Sequence, residues 1–241
     1  MTETLTIPAR FNGPPGSANG GYTCGRVAQL VGAEEVEVSL RAPPPLDTPL
    51  DVVHDGERVE LRDGDTLVAE GGPTELLFDV PDPVDRDEVA AAEERGRERW
   101  AADHPFPTCV VCGPKREPGD GMRIFPADIS GQGMLFGACW TPRDGDGDGN
   151  GCARPELVWA ALDCPTSAPV ANFGEGPPMV LASLAARLAC PLRVGEPHTI
   201  LSWGLEVDGR KHRSAAALYD SDGILTCVSR ALWIELRQPA E

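Results

Sequence analysis

The sequence predicts an α+β protein of two similar units, each an antiparallel sheet wrapped around a central helix. Three observations predict it. Each half carries one short segment with an apolar helical stripe. Each half follows that segment with three or four alternating, strand-like runs. Asp-Gly pairs at 55–56, 63–64, 208–209 and 222–223 punctuate those runs, and glycine tolerates the positive φ of a tight hairpin. The order of short strand, loop, short helix and strands recurs at an offset of about 150 residues, a weak internal duplication.

In the first unit, residues 1–80, Leu5-Thr6-Ile7 reads as a short strand and NGPPGSANGG at 12–21 as a loop. Gly21 to Val31 reads as a helix, with Ala28, Leu30 and Val31 on its apolar face. Val36-Glu37-Val38-Ser39-Leu40 alternates with period two, and strands at 51–54, 59–61 and 66–69 follow. Residues 81–104 form a connector in which Asp87 to Trp100 reads as a solvated helix, because its charges pair with no consistent partner.

The second unit spans 105–241. Met122 to Phe125 and Met134 to Trp140 read as strands, and DGDGDGNG at 144–151 as a loop. Pro155 to Asp163 reads as a helix, with Pro155 in its first turn and Cys164-Pro165 ending it. Strands are expected at 179–189, 198–207, 211–219 and 224–235.

Charge narrows the function. The chain of 241 residues has 21 Lys plus Arg against 38 Asp plus Glu, a net charge of −17. Phosphate neutralisation needs a basic surface, so a general nucleic-acid binder is disfavoured, as is an anionic membrane surface. No run approaches the roughly 18 apolar residues of a membrane span. The opening MTETLTIPARFNG lacks a basic stretch followed by an apolar one, so a cytoplasmic protein is expected. Eight cysteines are too sparse for a disulfide scaffold and read as reduced thiols.

The candidate sites are few. Cys109-Val-Val-Cys112 has no second close pair, and Pro114 and Pro118 follow, so a turn without metal is expected. Cys139, Cys152, His104 or His212 could complete a metal site only through the fold. Asp144, Asp146 and Asp148 imitate a calcium loop, but its twelfth position is Pro155. There is no GxSxG elbow and no phosphate-binding glycine loop. His54, His198 and His212 read as rim positions. Asn19-Gly20-Gly21-Tyr22 places two glycines at a helix start, where backbone N–H groups could receive a developing negative charge, or where Asn19 simply caps the helix. Asp163 closes an apolar helix, where burial disfavours the charged carboxylate. It is either a general base or a cap for the turn at Pro165-Thr166-Ser167.

Taken in order, Gly20-Gly21-Tyr22-Thr23-Cys24-Gly25-Arg26-Val27-Ala28-Gln29-Leu30, then Trp159-Ala160-Ala161-Leu162-Asp163-Cys164, then Ala182-Ser183-Leu184 and Gly223 to Cys227, resemble the double hotdog proteins of the acyl-CoA thioesterase II group. The resemblance covers nearly the whole chain except 81–105 and 141–152. It implies a double hotdog fold and hydrolysis of an acyl-CoA thioester without a cofactor or metal. Gly20 and Gly21 would polarise the carbonyl, Asp163 would activate water, and Ser183 would assist. Asn19, Tyr22, Trp159 and Thr166 would contact the substrate. The Gln that the group carries in its final strand is absent from Val228-Ser229-Arg230-Ala231, and its Asp-His pair becomes Ala185-Ala186. A hotdog dehydratase or hydratase and a non-enzymatic acyl-ligand binder are the alternatives. The fold also implies a homo-oligomer. Pro155 has no N–H, and neither Ala28 nor Gln29 is a carboxylate, so one functional site per chain is expected.

Overall fold

The computed structural model describes residues 3–129, 131, 134–171 and 178–237. Helix α1 spans Gly20–Val31. The Asn19 side chain caps it by accepting the Tyr22 N–H at 2.8 Å, which satisfies one of the donors that every helix start leaves free. Gly32, at φ 71°, turns the chain out of the helix and donates its N–H to Ala28 O. Four strands follow: β2 (Glu35–Leu40), β3 (Leu50–Asp55), β4 (Arg58–Asp63) and β5 (Thr66–Pro73), after the short β1 (Thr4–Leu5). Gly56 and Gly64, both at positive φ, open two-residue hairpin loops where the Asp-Gly pairs predict them.

The second half repeats this plan. Helix α3 (Pro155–Ser167) precedes β8 (Met179–Leu188), β9 (His198–Asp208), β10 (Lys211–Tyr219) and β11 (Leu225–Glu235). The short β6 (Ala127–Asp128) and β7 (Phe136–Trp140) lie before α3. The sheet order is β1-β3-β4-β5-β2-β8-β11-β10-β9-β7-β6. Read outward from the middle, β2-β5-β4-β3-β1 matches β8-β11-β10-β9-β7, with β6 an addition to the second half, so the halves are related by a pseudo-two-fold axis between β2 and β8.

That middle pair corrects the expectation of two separate sheets. β2 and β8 pair antiparallel from Glu35↔Arg187 to Ser39↔Ser183 and weld both halves into one eleven-stranded sheet. Val38 and Leu184, a cross-strand pair, are fully buried on the face that carries the helices. Glu35 and Arg187 pair at 2.7 Å on the other face. The weld therefore adds apolar burial on one side and an ion pair on the other.

Helices α1 and α3 lie antiparallel against the same face of this sheet. A Cβ on Gly21 would stand 2.8 Å from Trp159 O, and one on Gly25 would stand 2.7 Å from Glu156 Cα. These two glycines bring the helix backbones together closer than any side chain allows.

Several expectations are corrected here. α3 runs four residues past Asp163, through Pro165. The Thr166 hydroxyl donates to Asp163 O at 2.6 Å, and the Ser167 hydroxyl donates to Cys164 O at 2.8 Å, so side chains satisfy carbonyls in the last turn. Residues 122–125 form no strand, because Arg123 takes a positive φ of 59° and breaks the extended run. Met122 and Ile124 instead donate their N–H groups to Val110 O and Val111 O. His198 and His212 are buried and not at the rim.

The connector helix α2 (Arg86–Ala102) is not free in solvent either. Val89, Ala92, Glu93, Gly96 and Trp100 are buried along one stripe, and the Trp100 indole donates to Pro126 O at 2.8 Å. α2 and the strap before it cover the outer face of the second half's strands, where Val89 and Leu76 join Ala185, Leu201, Ala217 and Val228 in a second core. Among the described residues, no helix is long and apolar enough to cross a membrane.

Candidate functional site

A cavity of about 810 Å³ lies where the start of α1, the last turns of α3 and the loop after α2 converge. Its wall is mostly apolar, with Leu40, Phe106, Met179, Leu181 and Trp233 among the lining residues. Asn19, Gly20, Asp163, His104 and three cysteines bring polar atoms to it.

Asp163 is 2% exposed. Its Oδ2 accepts the Gly21 N–H at 2.8 Å and the Asn19 side-chain amide at 3.0 Å. Its Oδ1 is buried and has no hydrogen-bond partner among the described residues. Burial pushes the Asp163 carboxyl up to about 7, against the pull of the Gly21 N–H and Asn19. Asn19 does two jobs. Its carbonyl oxygen caps α1 and its amide nitrogen holds Asp163, so the cap fixes the carboxylate across the interface between the two halves.

The sequence expects both Gly20 and Gly21 to offer amides to a carbonyl. The Gly21 N–H is taken by Asp163 itself. Gly20 lines the cavity, and as the first helical residue its N–H has no acceptor within the helix.

Four other expected site residues lie elsewhere. Ser183 is carried off by a β-bulge in β8. Leu232 pairs with Ser183 and Trp233 with Leu181, so Ala182 is the extra residue and the alternation of faces flips. The Ser183 hydroxyl donates to Glu37 Oε1 at 3.1 Å, on the face away from α3. Tyr22 is buried and stacked on Phe11 at 4.0 Å between centroids. Trp159 packs against Gly25 in the helix interface. Thr166 is fully buried and accepts the Trp233 indole N–H at 2.8 Å. Of the expected substrate contacts, Asn19 alone lines the cavity.

The pseudo-symmetric position is filled differently. Gln29 Nε2 donates to Glu156 Oε2 at 3.1 Å, and Glu156 is buried. Pro155 offers no N–H there.

Sequence reasoning missed a group of thiols. The sulfur atoms of Cys109, Cys112 and Cys164 all lie within 4.8 Å of one another, and those of Cys109 and Cys164 are 3.8 Å apart. His104 Nε2 lies 3.2 Å from Cys112 Sγ. Hydrogen bonds from Cys112 and Cys164 hold the Cys109 thiol well below its usual range, while burial pushes Cys112 up and the bond to Cys109 pushes Cys164 up. Burial lowers His104. The signal in the sequence was Cys109-Val-Val-Cys112-Gly113 with His104 five residues ahead. Cys164, more distant in sequence, could be added only by the fold.

No protein-family model matches the sequence, and no curated protein matches it significantly. Solved structures do match in shape. The tesB protein of Mycobacterium avium subsp. paratuberculosis superposes with a TM-score of 0.60 at 13% identity, over 97% of this chain and 91% of that one. A conserved protein of unknown function with a hot dog fold, from Alicyclobacillus acidocaldarius, gives 0.58 at 9% identity over 98% and 93%. The chain has a hotdog-like fold. An acyl-CoA thioesterase II of Mycobacterium marinum, at 0.54 and 12% identity over 93% of each chain, has the same architecture. In this hotdog-like chain the sheet is continuous across both helix-bearing halves, and the Asp163–Gly21 bond joins the two helices at the end where α1 begins.

Proposed function

We propose that the chain hydrolyses an acyl thioester, of the acyl-CoA class, whose acyl chain lies in the apolar cavity. Asp163 lies on the cavity wall, and its buried Oδ1, which has no hydrogen-bond partner among the described residues, carries this reading. Oδ2 is anchored by Gly21 and Asn19, so Oδ1 is the oxygen left to take a proton. A water beside Oδ1 would attack the thioester carbon as its proton passes to Asp163. The Gly20 N–H would receive the oxyanion. Collapse of the tetrahedral intermediate would break the C–S bond, and Asp163 would return the proton to the leaving thiolate. The solved structures of like shape include one named as an acyl-CoA thioesterase, which supports the substrate class and not a particular acyl chain.

One observation favours a second reading. The Gly21 N–H is already engaged by Asp163, which leaves a single backbone donor for the oxyanion. A cavity that binds the acyl group without cleaving it is consistent with that. A panel of acyl-CoA esters of increasing chain length, followed by thiol release, separates the two. Hydrolysis that falls about 100-fold or more in Asp163→Asn supports the first reading, since that is the usual loss for a general base. Saturable binding without turnover supports the second. Unchanged turnover in Asp163→Asn removes Asp163 from the mechanism.

A further inference from the structure

We propose that Cys109, Cys112, Cys164 and His104 form a tetrahedral zinc site that pins the loop after α2 to helix α3. The site is independent of whether the cavity hydrolyses its ligand. Zinc–thiolate bonds of about 2.3 Å in a tetrahedron put neighbouring sulfurs about 3.8 Å apart. Cys109 and Cys164 stand at that separation, and Cys112 completes a triangle with no sulfur-to-sulfur distance above 4.8 Å. Three soft sulfurs and an imidazole are a ligand set for zinc, not for magnesium or calcium.

The backbone around the first two cysteines is shaped to present thiolates. The backbone N–H groups of Cys112 and Val111 favour the Cys109 thiolate. The Gly113 N–H donates to Cys109 O at 2.9 Å and closes the turn. A Cβ on Gly113 would stand 2.4 Å from that same oxygen, so glycine is required there. The Asn19 amide lies 3.8 Å from both Cys109 Sγ and Cys164 Sγ. Donors of this kind orient and stabilise the first ligands.

The loop gives the site a structural purpose. Residues 103–126 contain no helix and no strand, yet Val110, Val111, Ile124 and Phe125 are in the core. The three thiols join the turn at 109–112 to α3, and His104, just past the end of α2, reaches them through Cys112. Such cross-links stabilise segments that lack a regular hydrogen-bond ladder.

Binding has a defined proton balance. Each of the three thiols loses its proton to solvent. His104 Nδ1 now accepts the Phe106 N–H at 2.8 Å, which puts the ring proton on Nε2. Zinc at Nε2 moves that proton to Nδ1 and gives up the Phe106 bond, a single neutral hydrogen bond exchanged for a metal–nitrogen bond.

The test uses the full chain, expressed with added zinc and purified without chelator. Elemental analysis is expected to find about one zinc per chain. Cobalt(II) titrated into the reduced, zinc-stripped chain should give, at one equivalent, the thiolate charge-transfer and tetrahedral d–d bands of a site with three sulfur ligands and one nitrogen. Cys112→Ser and Cys164→Ser should lose stoichiometric metal, while Cys152→Ser and Cys190→Ser should keep it. His104→Ala should weaken cobalt binding by at least about tenfold. The wild-type cobalt spectrum stands even where a cysteine variant fails to fold. Metal below about 0.1 per chain together with no stoichiometric cobalt uptake would overturn the site. So would metal retained in Cys164→Ser. Unchanged cobalt affinity and spectrum in His104→Ala would overturn the assignment of the imidazole as the fourth ligand.

Discussion

Gly21 and Asp163 meet twice. The Gly21 N–H donates to Asp163 Oδ2 at 2.8 Å, and a Cβ built on Gly21 would stand 2.3 Å from the Cβ of Asp163. The polar bond and the close approach need each other, because the amide reaches the carboxylate only where the residue lacks a side chain.

Gly21→Ala is therefore expected to destabilise the chain, although alanine favours a helix interior by about 1 kcal/mol. Overpacking against a backbone-anchored neighbour costs about 1–3 kcal/mol, and the neighbours here include Trp159 O at 2.8 Å and Ala160 Cα at 3.0 Å. Urea unfolding should show a lower midpoint at unchanged slope. An equal or higher midpoint would mean that the helices separate freely at this point.

Ser183→Ala should leave thioester turnover within about twofold of the parent, in contrast to Asp163→Asn. Its hydroxyl bonds Glu37 on the far face of the sheet. Steady-state kinetics on both variants decide between this placement and the role that the resemblance implies for Ser183. A loss in Ser183→Ala as deep as that in Asp163→Asn would contradict the geometry.

Thr166→Val should destabilise by about 1–3 kcal/mol, because it strands the buried Trp233 indole N–H. Trp233→Phe removes that donor. In a double-mutant cycle the pair should cost less than the sum of the singles, read from denaturant midpoints. Simple additivity would show that the indole finds another acceptor.

Glu93 sets a pH dependence. Burial raises its carboxyl above the ordinary 4.5, while the Cys139 N–H, Arg97 and the Phe125 N–H pull it back. The folded chain therefore favours the protonated acid more than the unfolded chain does. That contribution is complete below about pH 4.5 and is lost as pH rises through the folded value. Glu93→Gln lacks it. The stability of the parent relative to Glu93→Gln should fall as pH rises above about 4.5, measured by urea unfolding at each pH. A constant difference would refute the linkage.

The central helices, the hairpins and most strands of each half were legible because their signals are local. Asn19 ahead of two glycines marks a cap, and Asp-Gly pairs mark turns. The weld of β2 to β8 was not legible, since Glu35 and Arg187 lie far apart in sequence and either strand could be an edge. Ser183 was misplaced for a different reason. Sequence parity puts it on the face of Leu181, and one bulged residue at Ala182 reverses that parity. In α2 the stripe Val89, Ala92, Glu93, Gly96 and Trp100 was present in the sequence, but the surrounding charges concealed it. Asp163 was singled out correctly as a buried carboxylate at a helix, while its bond to the Gly21 amide needed the fold to bring two halves of the chain together.

The pseudo-two-fold axis has a consequence for how this molecule can change. In a pair of identical subunits every substitution is copied to both sides of the axis, so neither half can specialise alone. Here Gly21 faces Asp163 on one side while Gln29 faces Glu156 on the other. Joining the halves in one polypeptide lets one side hold a carboxylate on a backbone amide while the other holds one on a side-chain amide.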